Sequence, residues 1–251
     1  KGKHLWLRNN FSTFTSQFVD TFTIVSLLIL FGILPQDKFL VLIISGFIFK
    51  VIVAILDTGV DYTHPDLVDN IWENIAERDG IAGFDDDGNG YVDDIYGWDF
   101  INADNTPLDD NMHGTHVAGI VGAVGGNGKG IAGAAWNVKL MSIKVFQSNG
   151  TGNSTTIAEG VTYSAINGAT ILNMSFGSYG ESQTLKSALE NAYATAVLVS
   201  SAGNNALAIG PCPICAPSFP ASYNYVFGVE DRLRPNLGYT NFDQDGPVST
   251  L

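Results

Sequence analysis

Val51-Ile52-Val53-Ala54-Ile55-Leu56 runs straight into Asp57-Thr58-Gly59-Val60-Asp61. An unbroken apolar run rich in β-branched residues, with no polar alternation, is the pattern of a strand buried on both faces. The Asp-Thr-Gly that ends it places a carboxylate at the strand's carboxyl end, and the Gly suits a tight turn. Downstream, strand and helix patterns alternate. His113 to Val124 reads as a helix rich in small residues, Val138–Phe146 as a strand, and Ser154–Asn167 as a helix with one packed face. Thr170–Ser175 is the next strand, Leu185, Leu189, Ala192 and Tyr193 mark another helix, and Ala196–Ser201 another strand. Tyr225–Val229 and Leu237–Asn241 are shorter strand candidates. This βαβα order predicts a parallel sheet covered by helices on both faces. Ligand sites in such folds lie beyond the carboxyl ends of the strands, where Asp57, Ser175 and the Ala202-Gly203-Asn204 turn fall.

The chain has 251 residues, enough for one large domain, with no internal repeat or low-complexity linker. Its net charge of −13 argues against a nucleic-acid partner, since phosphate binding needs a Lys/Arg surplus. The acid is concentrated. Residues 57–110 hold 16 Asp/Glu and one basic residue, Arg78, whereas the rest of the chain carries 11 basic and 9 acidic residues. Clustering of this kind needs a local cause, and hard cations held through oxygen ligands supply one. Cys212 and Cys215, in Pro-Cys-Pro-Ile-Cys, make a poor zinc site without a second pair. A small loop-closing disulfide in an oxidising compartment is the expectation, with unpaired thiols or a redox motif as alternatives.

Residues 1–50 stand apart. They hold 8 of the 15 Phe and two apolar runs, Phe22–Leu34 and Phe39–Phe49, split by Pro35-Gln36-Asp37-Lys38. Each run is shorter than the ~20 residues needed to span a bilayer, and either length suits a signal-peptide core. A signal or membrane-anchor segment, a segment foreign to the domain, and a buried element of the domain are the three readings. The chain begins at Lys1 rather than Met, so it is not expected to be a complete precursor.

Three groups carry chemistry. A His at the start of a Gly-rich helix is either a packed or capping residue or a base. His113 has a carboxylate, Asp57, at the same sheet edge, and Gly114 leaves the backbone clear for close approach. An imidazole acts as base only when its other nitrogen is held by an acceptor, which Asp57 can supply. Asn204 ends a strand, where its amide either serves a turn or donates into a cleft. The Ser/Gly-rich exit Asn173-Met174-Ser175-Phe176-Gly177-Ser178 is either an ordinary loop or an edge that pairs with an extended peptide.

In order along the chain, Asp57-Thr58-Gly59-Val60-Asp61 with His64-Pro65-Asp66-Leu67, His113-Gly114-Thr115-His116, Asn173-Met174-Ser175 and Ala202-Gly203-Asn204 resemble the motifs of the subtilisin-like serine proteases. The similarity is nearest to the thermitase-like branch and runs over residues 51–250. It implies a three-layer αβα fold with a mainly parallel sheet, and hydrolysis of peptide bonds in a peptide or protein substrate. It makes Asp57 the orienting acid, His113 the general base and Asn204 the oxyanion donor. Removing such a donor from subtilisin itself costs about 10²–10³ in turnover. Ser175-Phe176-Gly177 and Ser201-Ala202-Gly203 would line the primary specificity pocket, and Gly150, in Asn149-Gly150-Thr151-Gly152, an edge that holds the substrate further from the scissile bond.

The family's nucleophile stands in Gly-Thr-Ser-Met-Ala at a helix start beyond the oxyanion Asn. After Asn204 this chain has only Ser218, Ser222 and Ser249, none in that setting. The expectation is a domain truncated at its C-terminal end, and a 251-residue chain without subtilisin-type turnover.

Calcium is the cofactor the acid cluster suggests. Asp85, Asp87 and Asn89 alternate ahead of Gly90 at the sixth position, and Asp93 follows. This matches the first half of a calcium loop, although position twelve is Tyr96 rather than Glu. A shorter calcium loop is expected, against a solvated acidic loop. The resemblance implies two further sites: Asp66 with Asn127 and the carbonyls of Val124, Lys129 and Ile131, and Asp99 with Asp104 and Thr106. The leading expectation is thus a secreted, calcium-stabilised endopeptidase. A catalytically inactive calcium- or peptide-binding module of the same fold, and a membrane-anchored protein working through residues 22–49, are the alternatives.

Overall fold

The computed structural model describes residues 51–203 and 218–229, together with Ser26, Ile29 and Leu30, which are helical. The chain divides into two compact units, Lys1–Val51 and Ile52–Leu251. In the second unit β1 (Ile52–Asp57) is followed by a short helix α1 (Ile75–Asp79), β2 (Gly97–Asp99), α2 (His113–Gly122) and β3 (Lys139–Lys144). Then come α3 (Ser154–Ile166), β4 (Ile171–Met174), α4 (Gln183–Ala192), β5 (Val197–Ser201) and β6 (Phe227–Val229). The six strands form one sheet in the order β2-β3-β1-β4-β5-β6, and every neighbouring pair is parallel.

β1 is central, as its apolar run requires. Its side chains alternate between two buried layers. Ala54 and Leu56 join Met141, Ile143, Leu172, Met174 and Leu198 in a core shared with Ile157 and Val161 of α3 and Leu185 and Leu189 of α4. Burying side chains of this kind stabilises by about 1.5–3 kcal/mol each. Small residues let the helices approach. A Cβ on Gly160 of α3 would lie 2.7 Å from Val145 and 2.9 Å from Ile143, and one on Gly122 of α2 would lie 2.6 Å from Val138 and 3.1 Å from Leu140. Since Ile143 and Leu140 point to opposite faces of β3, α3 and α2 cover opposite faces of the sheet. Asn153 caps α3 by accepting from Thr155 N and Thr156 N, and Ser182 caps α4 by accepting from Leu185 N.

The strand and helix pattern expected from the sequence is present, with shorter ends. α2 stops at Gly122 because Ala123 turns extended (φ −62, ψ 144). β2 and α1 were not anticipated, and Leu237–Asn241 lies outside the described residues. β1 pairs with β3 on one side and β4 on the other, so the chain reverses its direction of travel across the sheet there. The crevice at such a reversal is where an open α/β sheet places its site. Among the described residues no helix is long and apolar enough to cross a membrane.

Candidate active site

Asp57 is the last residue of β1 and His113 the first of α2, and their side chains meet with His113 Nδ1 2.6 Å from Asp57 Oδ1. The Asp57 side chain is 3% exposed and that of His113 is 22% exposed, so the carboxylate is sealed behind the imidazole. With the carboxylate accepting, the proton of a neutral imidazole sits on Nδ1 and leaves Nε2 as the basic nitrogen. Asp57 Oδ1 also accepts from Thr58 N (2.7 Å), and Asp57 Oδ2 is buried without a hydrogen-bond partner among the described residues.

The approach of α2 to the end of β1 depends on two glycines. Gly59 has φ +105, and a Cβ there would lie 2.7 Å from the Leu108 carbonyl. A Cβ on Gly114 would lie 2.0 Å from Gly59 O and 3.1 Å from Asp57 Cβ. Hydrogen bonds then fix the approach. Gly114 N donates to Thr58 Oγ1 (3.1 Å), and Thr58 Oγ1 donates to Asp109 Oδ1 (2.8 Å). Lys144, buried at the end of β3, donates to Thr58 O and to Asp110 Oδ1, each at 2.6 Å. Neither Asp109 nor Lys144 was singled out from the sequence.

The segments expected to border the substrate lie at the ends of adjacent strands. Ser175-Phe176-Gly177 follows β4 and Ala202-Gly203 follows β5, and they are joined where Ser201 Oγ donates to Phe176 O (3.2 Å). Ser218 lies at their junction, with its Oγ 2.7 Å from a Cβ built on Gly177 and 3.6 Å from one on Gly203. Phe176 packs edge-on against Phe146, ring centroids 4.9 Å apart. Gly150 is exposed, at φ +76, in the turn where its N–H donates to Gln147 O. Asn204 lies outside the described residues, as do Cys212, Cys215 and Ser249. A cavity of about 470 Å³ flanks α2, lined by Asp61, His64, Asp109, Met112 and His116, and does not include His113.

The acidic insertion forms a knot of turns around Glu77, a residue of α1 whose role the sequence did not signal. Buried Glu77 accepts from Asp86 N and Asp87 N through Oε1 and from Asp93 N through Oε2. Single carboxylate oxygens of Glu77, Asp85 and Asp87 all lie within 4.8 Å of one another, a donor set of hard oxygens that suits a divalent cation. Asn89 donates to Asp87 and to buried Asp94, and Asp93 Oδ2 accepts from Gly83 N. Asp94 also accepts from Tyr163 of α3 (2.5 Å), tying the insertion to the core. Burial pushes the Asp94 carboxyl up from its ordinary range.

The other two acidic groups are arranged differently. Asp66 is buried and accepts from Asn127 Nδ2 (2.7 Å) and Ile131 N (2.9 Å), and the Asn127 bond foremost holds its carboxyl below the ordinary range. Val124 N donates to Asp66 O, and Lys129 N to Asn127 Oδ1, so this loop closes on Asp66 through N–H donors. Asp99 and Asp104 are brought together by an antiparallel bridge. Asp99 Oδ1 accepts from Ile101 N and Asn102 N, and Asp104 Oδ1 from Thr106 N.

Comparisons with known proteins give the family and agree with the fold. The sequence model of the subtilase family matches residues 49–235. That of a putative vitamin uptake transporter family matches residues 1–63, so the two overlap over 49–63. The chain is 44% identical to Subtilisin-like protease 1 of Plasmodium falciparum (isolate 3D7) over 124 residues, 49% of this chain and 18% of that protein. It is 34% identical to Thermitase of Thermoactinomyces vulgaris over 177 residues, 70% of this chain and 53% of that protein. Among solved structures, Sphericase is similar with a TM-score of 0.57 at 29% identity, over 76% of this chain and 57% of that one. The chain thus spans between about a fifth and about half of the curated relatives' lengths.

Proposed function

Because this chain belongs to the subtilase family, we propose that Asp57 and His113 are the acid and base of a serine-type endopeptidase acting on peptide or protein substrates. The observation that carries this reading is the 2.6 Å bond between His113 Nδ1 and buried Asp57. With Nδ1 held, Nε2 takes the proton of a serine hydroxyl as its oxygen attacks the scissile carbonyl. The same nitrogen then returns the proton to the leaving amine. Asp57 keeps its negative charge throughout and stabilises the imidazolium that forms. Asn204 supplies an amide N–H to the oxyanion. The strand ends at Ser175-Phe176-Gly177 and Ala202-Gly203 border the side-chain pocket, and Gly150 borders the extended substrate.

After Asn204 the sequence offers no serine in the Gly-Thr-Ser setting of the family's nucleophile. Ser218 and Ser222 lie in a segment, 218–229, without a helix, and the Ser222 hydroxyl is buried. The polypeptide assayed alone is therefore silent toward a fluorogenic peptide; hydrolysis that vanishes in His113→Ala would show otherwise. This same feature favours the second reading, an inactive calcium- or peptide-binding module of the same fold.

We also propose Ca²⁺ as a structural cofactor. Glu77, Asp85 and Asp87 hold one ion, whose charge offsets that of the acidic stretch, and Asn89 and Asp93 of the expected loop are further candidate ligands. The Asp66 loop (Asn127 and the carbonyls of Val124, Lys129 and Ile131) and the Asp99–Asp104–Thr106 turn are further candidate positions. Nucleic acid has no part in this reading, given the charge of −13, and any membrane association falls to residues 22–49. The working location is outside the cell or on its surface; the support is the reading of Cys212 and Cys215 as a disulfide, which thiol titration checks.

A further inference from the structure

We propose that Asp109 is a positioning residue that sets the His113 base against the Asp57 acid, an assignment that rests on the acid–base reading of that pair. A helix start leaves four backbone N–H groups without partners inside the helix, and a Ser, Thr, Asp or Asn at the N-cap ordinarily takes one of them. α2 has Met112 there instead, in the left-handed region at φ 86, with no side-chain cap. The work passes to Asp109. Its Oδ1 accepts from Asn111 N (2.9 Å) and Met112 N (3.0 Å), and its Oδ2 from Thr115 N (2.8 Å) and Thr115 Oγ1 (2.5 Å). One anion thus binds the turn before His113 and the first turn after it, at the end of α2 where negative charge is favoured.

The fifth donor to Asp109 comes from the other partner's side. Thr58 Oγ1 donates to Asp109 Oδ1 at 2.8 Å, and Thr58 is the residue after the acid. Thr58 N donates to Asp57 Oδ1, and Thr58 Oγ1 accepts from Gly114 N, the residue after the base. The bonds close a ring from Asp57 through Thr58 and Asp109 into α2 and back from His113 to Asp57. Lys144 fixes the remaining polar group of Thr58, its carbonyl, and pairs with Asp110, which leaves Asp109 to the ring. Asp109 reaches the acid and the base only through Thr58 and the backbone of α2. It sets where they stand and takes no proton in the reaction.

The test follows the His113 Nδ1 proton by NMR in the 251-residue chain labelled at its four histidines, with thermal unfolding alongside. A short N–H bond to a buried carboxylate gives a far-downfield, slowly exchanging signal, and Asp57→Asn identifies it by abolishing it. In folded Asp109→Ala this signal is expected to disappear or to exchange about tenfold faster or more, as when a charge-assisted bond of the ring is lost. Asp109→Asn, which keeps one acceptor oxygen, falls between. Should Asp109→Ala not fold, Thr58→Val and Thr58→Ser decide: the signal is lost in the first and kept in the second. A folded Asp109→Ala or Thr58→Val whose signal matches the parent in position and exchange overturns the proposal, even if its melting temperature is lower. A signal that ignores Asp57→Asn instead overturns the acid–base reading itself.

Discussion

Replacing Gly114 by Ala strikes the one place where α2 and β1 come closest. The added Cβ would stand 2.0 Å from Gly59 O, and real Cβ atoms essentially never come within 3.0 Å of such a neighbour. The obstacle is backbone in a turn that itself abuts Leu108, so no side chain can swing aside and the helix start must retreat by about 1 Å. A retreat of that size takes His113 Nδ1 from 2.6 Å to about 3.6 Å of Asp57 Oδ1, where the hydrogen bond is gone. Overpacking of this kind costs about 1–3 kcal/mol, and the lost Gly114–Thr58 bond about 0.5–1.5 kcal/mol. The helix preference of Ala over Gly returns about 0.5–1 kcal/mol, for a net loss of about 0.5–4 kcal/mol. Gly119→Ala in the same helix is the control, since its Cβ meets only Ile131 Cδ1 at an ordinary 3.6 Å. It should gain about 0.5–1 kcal/mol. Urea unfolding of both variants, followed by circular dichroism, separates them. Equal stability of Gly114→Ala and the parent would refute the argument that this glycine permits Asp57 and His113 to meet.

Two further outcomes follow from the charges. Calcium at about 100 times its dissociation constant should stabilise the chain by about 2.7 kcal/mol. Glu77→Gln, which removes a buried carboxylate of the proposed ligand set, should lose most of that gain in a thermal melt, and an unchanged calcium response would exclude Glu77 as a ligand. On the alkaline side, burial pushes the Tyr225 phenol up to about 12, above the ~10 of an unfolded tyrosine. Between those values the unfolded chain has released a proton that the folded chain keeps, so stability falls as pH rises above about 10. Tyr225→Phe should make that decline shallower in urea melts, and an unaltered slope would remove Tyr225 as a contributor.

The strands and helices that the sequence revealed are those long enough to show a period or a continuous apolar run. β1, with five of its six residues buried, and α3, with a packed face and an Asn cap, are of this kind. β2 and α1 have three and five residues, too few for a pattern, and lie in the acidic stretch 57–110, whose composition is governed by its carboxylates. The pairing of Asp57 with His113 was legible because an Asp ends the central strand and a His-Gly opens a helix. The residues that hold them in place were less so, although two signals were present. A helix that starts after Met112, with no capping side chain, must satisfy its first N–H groups from elsewhere, and Asn111, Thr58 and Asp109 take those of His113, Gly114 and Thr115 in turn. A lysine closing the strand Leu140-Met141-Ser142-Ile143-Lys144 is buried only with acceptors, here Thr58 O and Asp110. Glu77 gave no such signal, because its bonds reach loops 9 to 16 residues away.

The central claim, that Asp57 and His113 are the acid and base of a serine peptidase, is tested most directly by fluorogenic-peptide hydrolysis with two polypeptides. One is the 251-residue chain, and the other is the same chain continued by a helix segment opening on the family's Gly-Thr-Ser-Met-Ala. The account predicts no hydrolysis by the first, and hydrolysis by the second that Asp57→Asn or His113→Ala lowers by about 10³-fold or more. Activity of the second that is indifferent to both substitutions would contradict it.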